Sequence, residues 1–251
     1  MHKYLIVLFL VFVAAAEPST QYDWPQWQGP DRSNLSTETG LLKSWPPGGP
    51  PVAWSISGLG SGYGTVAIKG DKIYVQGTRG NNSVVHALNR STGAAVWVRA
   101  LGQSLPNENG GGPRGTPTVD GDHVYALTEA GDLACMNTQD GSIIWNRNIL
   151  KDFSATNIQW LISESPLVDR DKVVVTPGGS KASIVALDKT TGKTIWTSRE
   201  LSDPAGYSSC VVGDILGTRI ITTLTAKAAV GVRASDGKLI WRYGKVANST
   251  A

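Results

Sequence analysis

Residues 186–196, ALDKTTGKTIW, hold one complete structural idea: a strand ends, the chain turns on Gly192, and a second strand closes on Trp196. The idea is written four times. Residues 87–97 read ALNRSTGAAVW, 135–145 read CMNTQDGSIIW and 231–241 read GVRASDGKLIW, each with glycine four residues ahead of tryptophan. The turn glycines Gly93, Gly141, Gly192 and Gly237 are 48, 51 and 45 residues apart. One such unit alone is an ordinary hairpin. Four at matched internal spacing make a repeat array, in which no unit buries its apolar faces without its neighbours. The polar residue ahead of each glycine can hydrogen-bond the turn backbone, and glycine accepts a positive φ without a Cβ clash, so the hairpin register is fixed. The tryptophans Trp97, Trp145, Trp196 and Trp241 therefore fall on one defined face of each unit.

Working outward, each repeat parses into four strands: 65–68, 72–76, 84–88 and 95–99 in the first, and 116–119, 123–128, 133–137 and 143–148 in the second. The third holds 166–168, 172–176, 183–187 and 194–198, and the fourth 208–212, 219–223, 228–233 and 239–243. Gly70-Asp71 and Gly121-Asp122 read as hairpin turns. Ahead of the first repeat, residues 52–56 look like a further strand, and Trp54 ends a similar stretch with no repeat of its own before it. The joins between repeats, 58–64, 100–115, 149–165 and 200–206, are unequal, and long joins of this kind gather on one face, where binding residues belong.

The pattern A-x-D-x-x-T-G-x-x-x-W resembles the tryptophan-docking repeat of the pyrroloquinoline-quinone (PQQ)-like β-propellers, matched best by Ala186, Asp188, Thr191, Gly192 and Trp196. The other copies depart from it: Asn89 and Asn137 replace the Asp, Asp140 and Asp236 stand where Thr would, and Cys135 and Gly231 replace the Ala. The resemblance implies an all-β propeller of four-stranded antiparallel blades over residues 52–243, with each tryptophan packed across a blade boundary. It also implies seven or eight blades in a closed ring, whereas about four are written here. Two readings stand: a complete four-bladed ring with splayed blades, or the favoured one, an N-terminal arc of a longer propeller in which residues 244–251 begin a truncated next blade. The open ends of such an arc need missing blades or a protein partner to cover them.

Composition agrees with an all-β chain. Its 251 residues include 29 Gly, 13 Pro and nine Trp, and only 17% are charged, which suits short strands joined by turns and argues against disorder. Residues 1–16 carry Lys3, an apolar run and Ala14-Ala15-Ala16, the pattern of a cleaved signal peptide, and the run is too short to span a bilayer. No Cys lies near the cut, so the expectation is an exported periplasmic or extracellular protein that is not a lipoprotein. The formal charge of +3 gives no electrostatic footprint for nucleic acid or an anionic membrane. Cys135 and Cys210 read as two separately buried thiols. Residues 17–51, with Trp24, Trp27 and the Pro46–Pro51 cluster, form a turn-rich N-terminal arm, read as wrapping a surface with its two tryptophans over exposed apolar area.

No catalytic constellation emerges. His86 and His123 sit in strands of different repeats, the alternating Gly58, Gly60, Gly62 and Gly64 do not make G-x-G-x-x-G, and there is neither a G-x-S-x-G elbow nor a P-loop. The acids and amides that can face a propeller mouth lie in the two long joins: Glu108, Asn109, Arg114, Asn157, Trp160 and Glu164. The favoured reading is an exported, non-catalytic binding or scaffold module. The alternative implied by the resemblance is a PQQ-dependent alcohol or sugar dehydrogenase, or a fragment of one, with calcium beside the quinone. The adjacent-cysteine pair of many such alcohol dehydrogenases is missing, and no calcium ligand set maps onto this chain residue by residue.

Overall fold

The computed structural model describes residues 22–246; the signal-peptide reading and most of residues 244–251 lie outside them. Sixteen strands form four separate four-stranded antiparallel sheets, each a simple meander in chain order. Blade 1 is β1 (Ala67–Lys69), β2 (Lys72–Arg79), β3 (Asn82–Asn89) and β4 (Ala95–Gln103). Blade 2 is β5 (Thr118–Asp120), β6 (His123–Leu127), β7 (Asp132–Asn137) and β8 (Ile143–Asn148). Blade 3 is β9 (Leu167–Asp169), β10 (Lys172–Val175), β11 (Val185–Asp188) and β12 (Thr194–Thr197). Blade 4 is β13 (Val211–Ile215), β14 (Thr218–Leu224), β15 (Ala229–Arg233) and β16 (Leu239–Tyr243). Among the described residues the four sheets do not close into a ring. The departure from all-β structure is α1 (Ile149–Asp152), one turn inside the third join, whose first turn is capped by the Asn148 side chain accepting from Lys151 N at 3.0 Å.

Successive strand residues point to opposite sides of a sheet, and here both sides are covered. Val173 and Val175 of β10 pack towards blade 2 with Tyr125, Leu133 and Trp145, while Val174 between them packs towards blade 4 with Ile221, Val230 and Val232. The core is therefore three inter-sheet layers, with a smaller cluster of Ile73, Val75 and Leu88 under Trp54 on the outer side of blade 1, and not one centre. In every blade the tryptophan lies opposite a small residue of strand three: Trp97 opposite Ala87, Trp145 opposite Cys135, Trp196 opposite Ala186 and Trp241 opposite Gly231. A β-bulge follows that pair each time. The indole covers the small residue and the bulge adds local twist, which explains why the first position of the repeat takes only Ala, Cys or Gly.

The tryptophans bind the sheets to each other. Trp97 donates its Nε1–H to the Thr138 carbonyl at 3.1 Å, Trp145 to Lys189 at 2.9 Å and Trp196 to Ala234 at 3.0 Å, each acceptor lying in the turn of the next blade. The ring of each lies on that turn's glycine: a Cβ would stand 2.6 Å from Trp97 at Gly141 and 2.8 Å from Trp145 at Gly192, and closer still to Trp196 at Gly237. Those glycines have φ of 68–72°, so both the backbone and the docked ring demand glycine. Trp241 has no following turn beneath it among the described residues; it is 38% exposed, against 7–9% for the other three.

Trp54 follows the same rule from the other end. It donates to the Arg90 carbonyl at 3.0 Å and lies 2.6 Å from a Cβ placed at Gly93. Residues 52–56 nevertheless form no strand, having no neighbouring strand to pair with among the described residues. The innermost strands also begin about two residues later than the apolar pattern suggests. At the entry to each blade the backbone N–H turns sideways: Thr65 N donates to Thr116 Oγ1 (3.2 Å), Thr116 N to Ser165 Oγ (2.9 Å) and Ser165 N to Ser209 Oγ (2.9 Å). A ladder of hydroxyls thus links the blades near the axis before each inner strand pairs within its own sheet.

Candidate functional site

The meander gives the disc two faces. Joins lead into the inner strands on one face; the glycine turns that seat the tryptophans lie on the other, as does the arm, whose Trp24 bridges Ile68 and whose Pro25 carbonyl accepts from Val119 N at 2.8 Å. Three of the six candidate residues meet on the join face. Asn109, Arg114 and Trp160 line an open concavity of about 580 Å³ together with Tyr63 and Ser163. Arg114 is held in place there: it donates to the Gly110 and Gly112 carbonyls at 2.7 Å each, and its guanidinium sits 5.4 Å from the centre of the Tyr63 ring. Tyr63 in turn donates its hydroxyl to the Asn109 carbonyl at 2.8 Å. Tyr207 supports Trp160, accepting from its backbone N–H at 2.9 Å with the two rings 5.4 Å apart.

The other three candidates are placed differently. Glu108 is exposed on its loop and does not line the concavity. Asn157 is used inside the third join, donating to the Glu129 carbonyl at 2.8 Å and accepting from Ile162 N at 3.1 Å. Glu164 is buried; its Oε2 accepts from Thr176 N at 2.9 Å and from the Thr176 hydroxyl, while Oε1 has no partner. Burial pushes its carboxyl up to about 7, against the opposing pull of Thr176 and the Arg32 charge. Two residues that sequence reasoning missed, Tyr63 and Tyr207, could have been found from the repeat. Counting back two from the entry hydroxyls Thr65, Thr116, Ser165 and Ser209 gives Tyr63, Arg114, Ser163 and Tyr207, of which the first three line the concavity and Tyr207 backs Trp160. The position between, Gly64 and Gly115 in blades 1 and 2, is Glu164 in blade 3.

PQQ with calcium requires several oxygen donors converging on one point. Here the mouth offers two aromatic rings, one immobilised cation and the Asn109 and Ser163 side chains, while the buried Glu164 is tied to Thr176 and Asn157 is used on the backbone. Among the described residues no group of three His, Cys, Asp or Glu stands close enough to hold a metal. Both cysteines are free and buried. No helix of the described residues is long and apolar enough to cross a membrane.

Among solved structures, the fold is similar to quinohemoprotein alcohol dehydrogenase from Comamonas testosteroni (TM-score 0.62, 18% identity, 91% of this chain and 42% of that one). It is also similar to BamB from Moraxella catarrhalis (TM-score 0.50, 22% identity, 73% and 50%). Curated relatives include the outer membrane protein assembly factor BamB of Yersinia pestis, 26% identical over 216 residues, covering 80% of this chain and 50% of the relative. The BamB of Burkholderia pseudomallei (strain K96243) is 33% identical over 138 residues, covering 53% and 32%. The chain spans half or less of the length of these relatives. The family model described as outer membrane protein assembly factor BamB matches residues 81–250, more than half of the chain, and with its four tryptophan-closed repeats the chain belongs to that family of PQQ-like β-propeller proteins.

Proposed function

We propose that this is an exported, non-catalytic propeller module that binds another protein through its join face. The observation that carries the reading is the mouth itself: Tyr63, Trp160 and Arg114, with Asn109 and Ser163, line an open surface with one fixed cation and Tyr207 backs Trp160, while Asn157 and Glu164 are engaged within the protein. Rigid aromatics beside an arginine suit the anchoring of a partner's side chains at low entropic cost. The name of its relatives, assembly factor, agrees with a role exercised through other proteins. The exposed Trp241 and the unpaired segment around Trp54 fit coverage by further blades of the same kind.

A photo-crosslinking residue placed at Asn109, in cells that make the full-length protein, tests this. The expected result is a discrete cross-linked partner from position 109, lost in a Tyr63→Ala/Trp160→Ala background, and none from position 71 on the opposite face. Equal labelling from both faces, or none from position 109, would refute the join face as the binding surface. A stoichiometric quinone absorption band after addition of PQQ and calcium would replace the reading with that of a quinoprotein oxidoreductase.

A further inference from the structure

The arm brings one charged side chain into the middle of the disc. Arg32 is 6% exposed and sits at φ 51°, in a turn of the arm that begins at Gln26. A guanidinium has five N–H groups in one plane, and here each meets an oxygen. Nε donates to Gln26 Oε1 at 2.9 Å; Nη1 donates to the carbonyls of Ser165 at 3.2 Å and Cys210 at 2.7 Å; Nη2 donates to Thr118 Oγ1 at 3.4 Å and to the Pro166 carbonyl. The Thr118 hydroxyl gives its own proton to Pro166 O at 2.6 Å, so a lone pair is free to accept from Arg32. These acceptors come from the arm and from blades 2, 3 and 4. Four of the five are uncharged groups of the blades, fixed by backbone that the inter-blade hydroxyl ladder already holds.

We propose that this is a guanidinium-binding seat at the propeller axis, assembled by blades 2–4 and filled in cis by Arg32, so that the arm is a tethered ligand rather than a loose leader. Shape is one part of the case: five planar donors are matched by five acceptors, which an ammonium with three donors cannot satisfy. Charge is another. Burial lowers the Arg32 guanidinium to about 10, and the nearby Glu164, whose buried Oε1 is unpartnered, acts against that loss without a direct ion pair. The face of Trp27, 6.0 Å from the guanidinium carbon, completes an environment selective for a flat, weakly hydrated cation. One side chain thereby ties three blades to the arm.

The test uses the full chain with Arg32→Ala and Arg32→Lys, and methylguanidinium and methylammonium as probes. Arg32→Ala is expected to lower Tm by at least about 5 °C and to make the arm sensitive to protease. Millimolar methylguanidinium should restore Tm saturably in this variant, methylammonium should not, and wild type, whose seat is filled, should gain nothing. Arg32→Lys, which keeps the charge and loses the planar fork, should also fall below wild type and should also respond to methylguanidinium. Several results would overturn the seat: Arg32→Lys indistinguishable from wild type, equal rescue by the two cations, or no saturable rescue of either variant. The first would leave a requirement for charge alone, and the last would leave a packing role.

Discussion

If the indoles bind blade to blade, two chemically identical truncations should have unequal costs. Trp196 is 7% exposed, lies on Gly237 of the next blade and donates to the Ala234 carbonyl; Trp241 is 38% exposed and reaches no following turn among the described residues. Removing a buried tryptophan side chain costs about 3 to 5 kcal/mol through lost transfer energy and the cavity left behind. Leaving the Ala234 carbonyl unpaired at a blade boundary adds about 1 kcal/mol or more. Trp196→Ala should therefore lose at least about 3 kcal/mol, and Trp241→Ala, with no inter-blade contact to lose, about 1 kcal/mol. Trp196→Phe separates the contributions, because it keeps most of the ring and removes the donor; its loss should lie between the other two. The assay is urea unfolding with the midpoint compared at unchanged slope. A Trp196→Ala loss within about 1 kcal/mol of Trp241→Ala would refute the docking account, since burial in its own sheet would then explain both residues.

Other predictions use the same contrast between matched positions. Gly237 and Gly70 both have positive φ, 72° and 58°, but a Cβ at Gly237 would strike the Trp196 ring, whereas at Gly70 it meets nothing within 4 Å. Gly70→Ala should cost about 1 kcal/mol from backbone strain alone, and Gly237→Ala at least twice that by urea unfolding. Gly192→Val, at φ 69° against Trp145, should cost as much or more, since a β-branched residue resists the left-handed region. Glu164 predicts a pH effect of defined sign. Its carboxyl is raised from an ordinary 4.5 to about 7, so the folded state binds the extra proton between those values, and its contribution is full below pH 4.5 and lost as pH rises through 7. The change is of the order of 3 kcal/mol. Wild type should lose thermal stability between pH 5 and pH 8 relative to Glu164→Gln, and parallel curves for the two would contradict the assignment.

The sixteen strands were legible because short apolar runs bounded by glycine turns leave little choice of register, and because the four copies check one another. The beginnings of the inner strands were less so: Thr65 and Thr116 are good strand residues, yet their N–H groups are used on hydroxyls of the next blade. Residues 52–56 have the composition of a strand but no partner, and strand structure is made by pairing. Of the candidate site, Asn109, Arg114 and Trp160 were found from their place in the long joins. Glu164 was read as an acid able to face the mouth, and it is buried instead because one residue's offset from Ser163 turns a mouth position into an interior one. Arg32 was invisible for a stronger reason: a charged residue between Asp31 and Ser33 in a turn-rich arm reads as solvated, and acceptors 133 and 178 residues further along the chain make its burial possible.

The repeat also separates the two faces by what they hold constant. On the turn face the equivalent positions all serve adhesion, since Arg90, Thr138, Lys189 and Ala234 differ in side chain but each presents a backbone carbonyl to the indole of the blade before. Side-chain identity is free there because the backbone performs the bonding. On the join face the equivalent positions Tyr63, Arg114, Ser163 and Tyr207 share a backbone placement, and their side chains shape the surface, differing in size, charge and hydrogen-bonding capacity. A surface whose repeats diverge in the groups that point outward, over a scaffold whose repeats agree in the groups that pack, is one in which recognition can change without disturbing adhesion. The axial arginine reinforces that separation. By fastening the arm into blades 2, 3 and 4 from the turn face, it leaves the mouth above to be shaped by the joins alone.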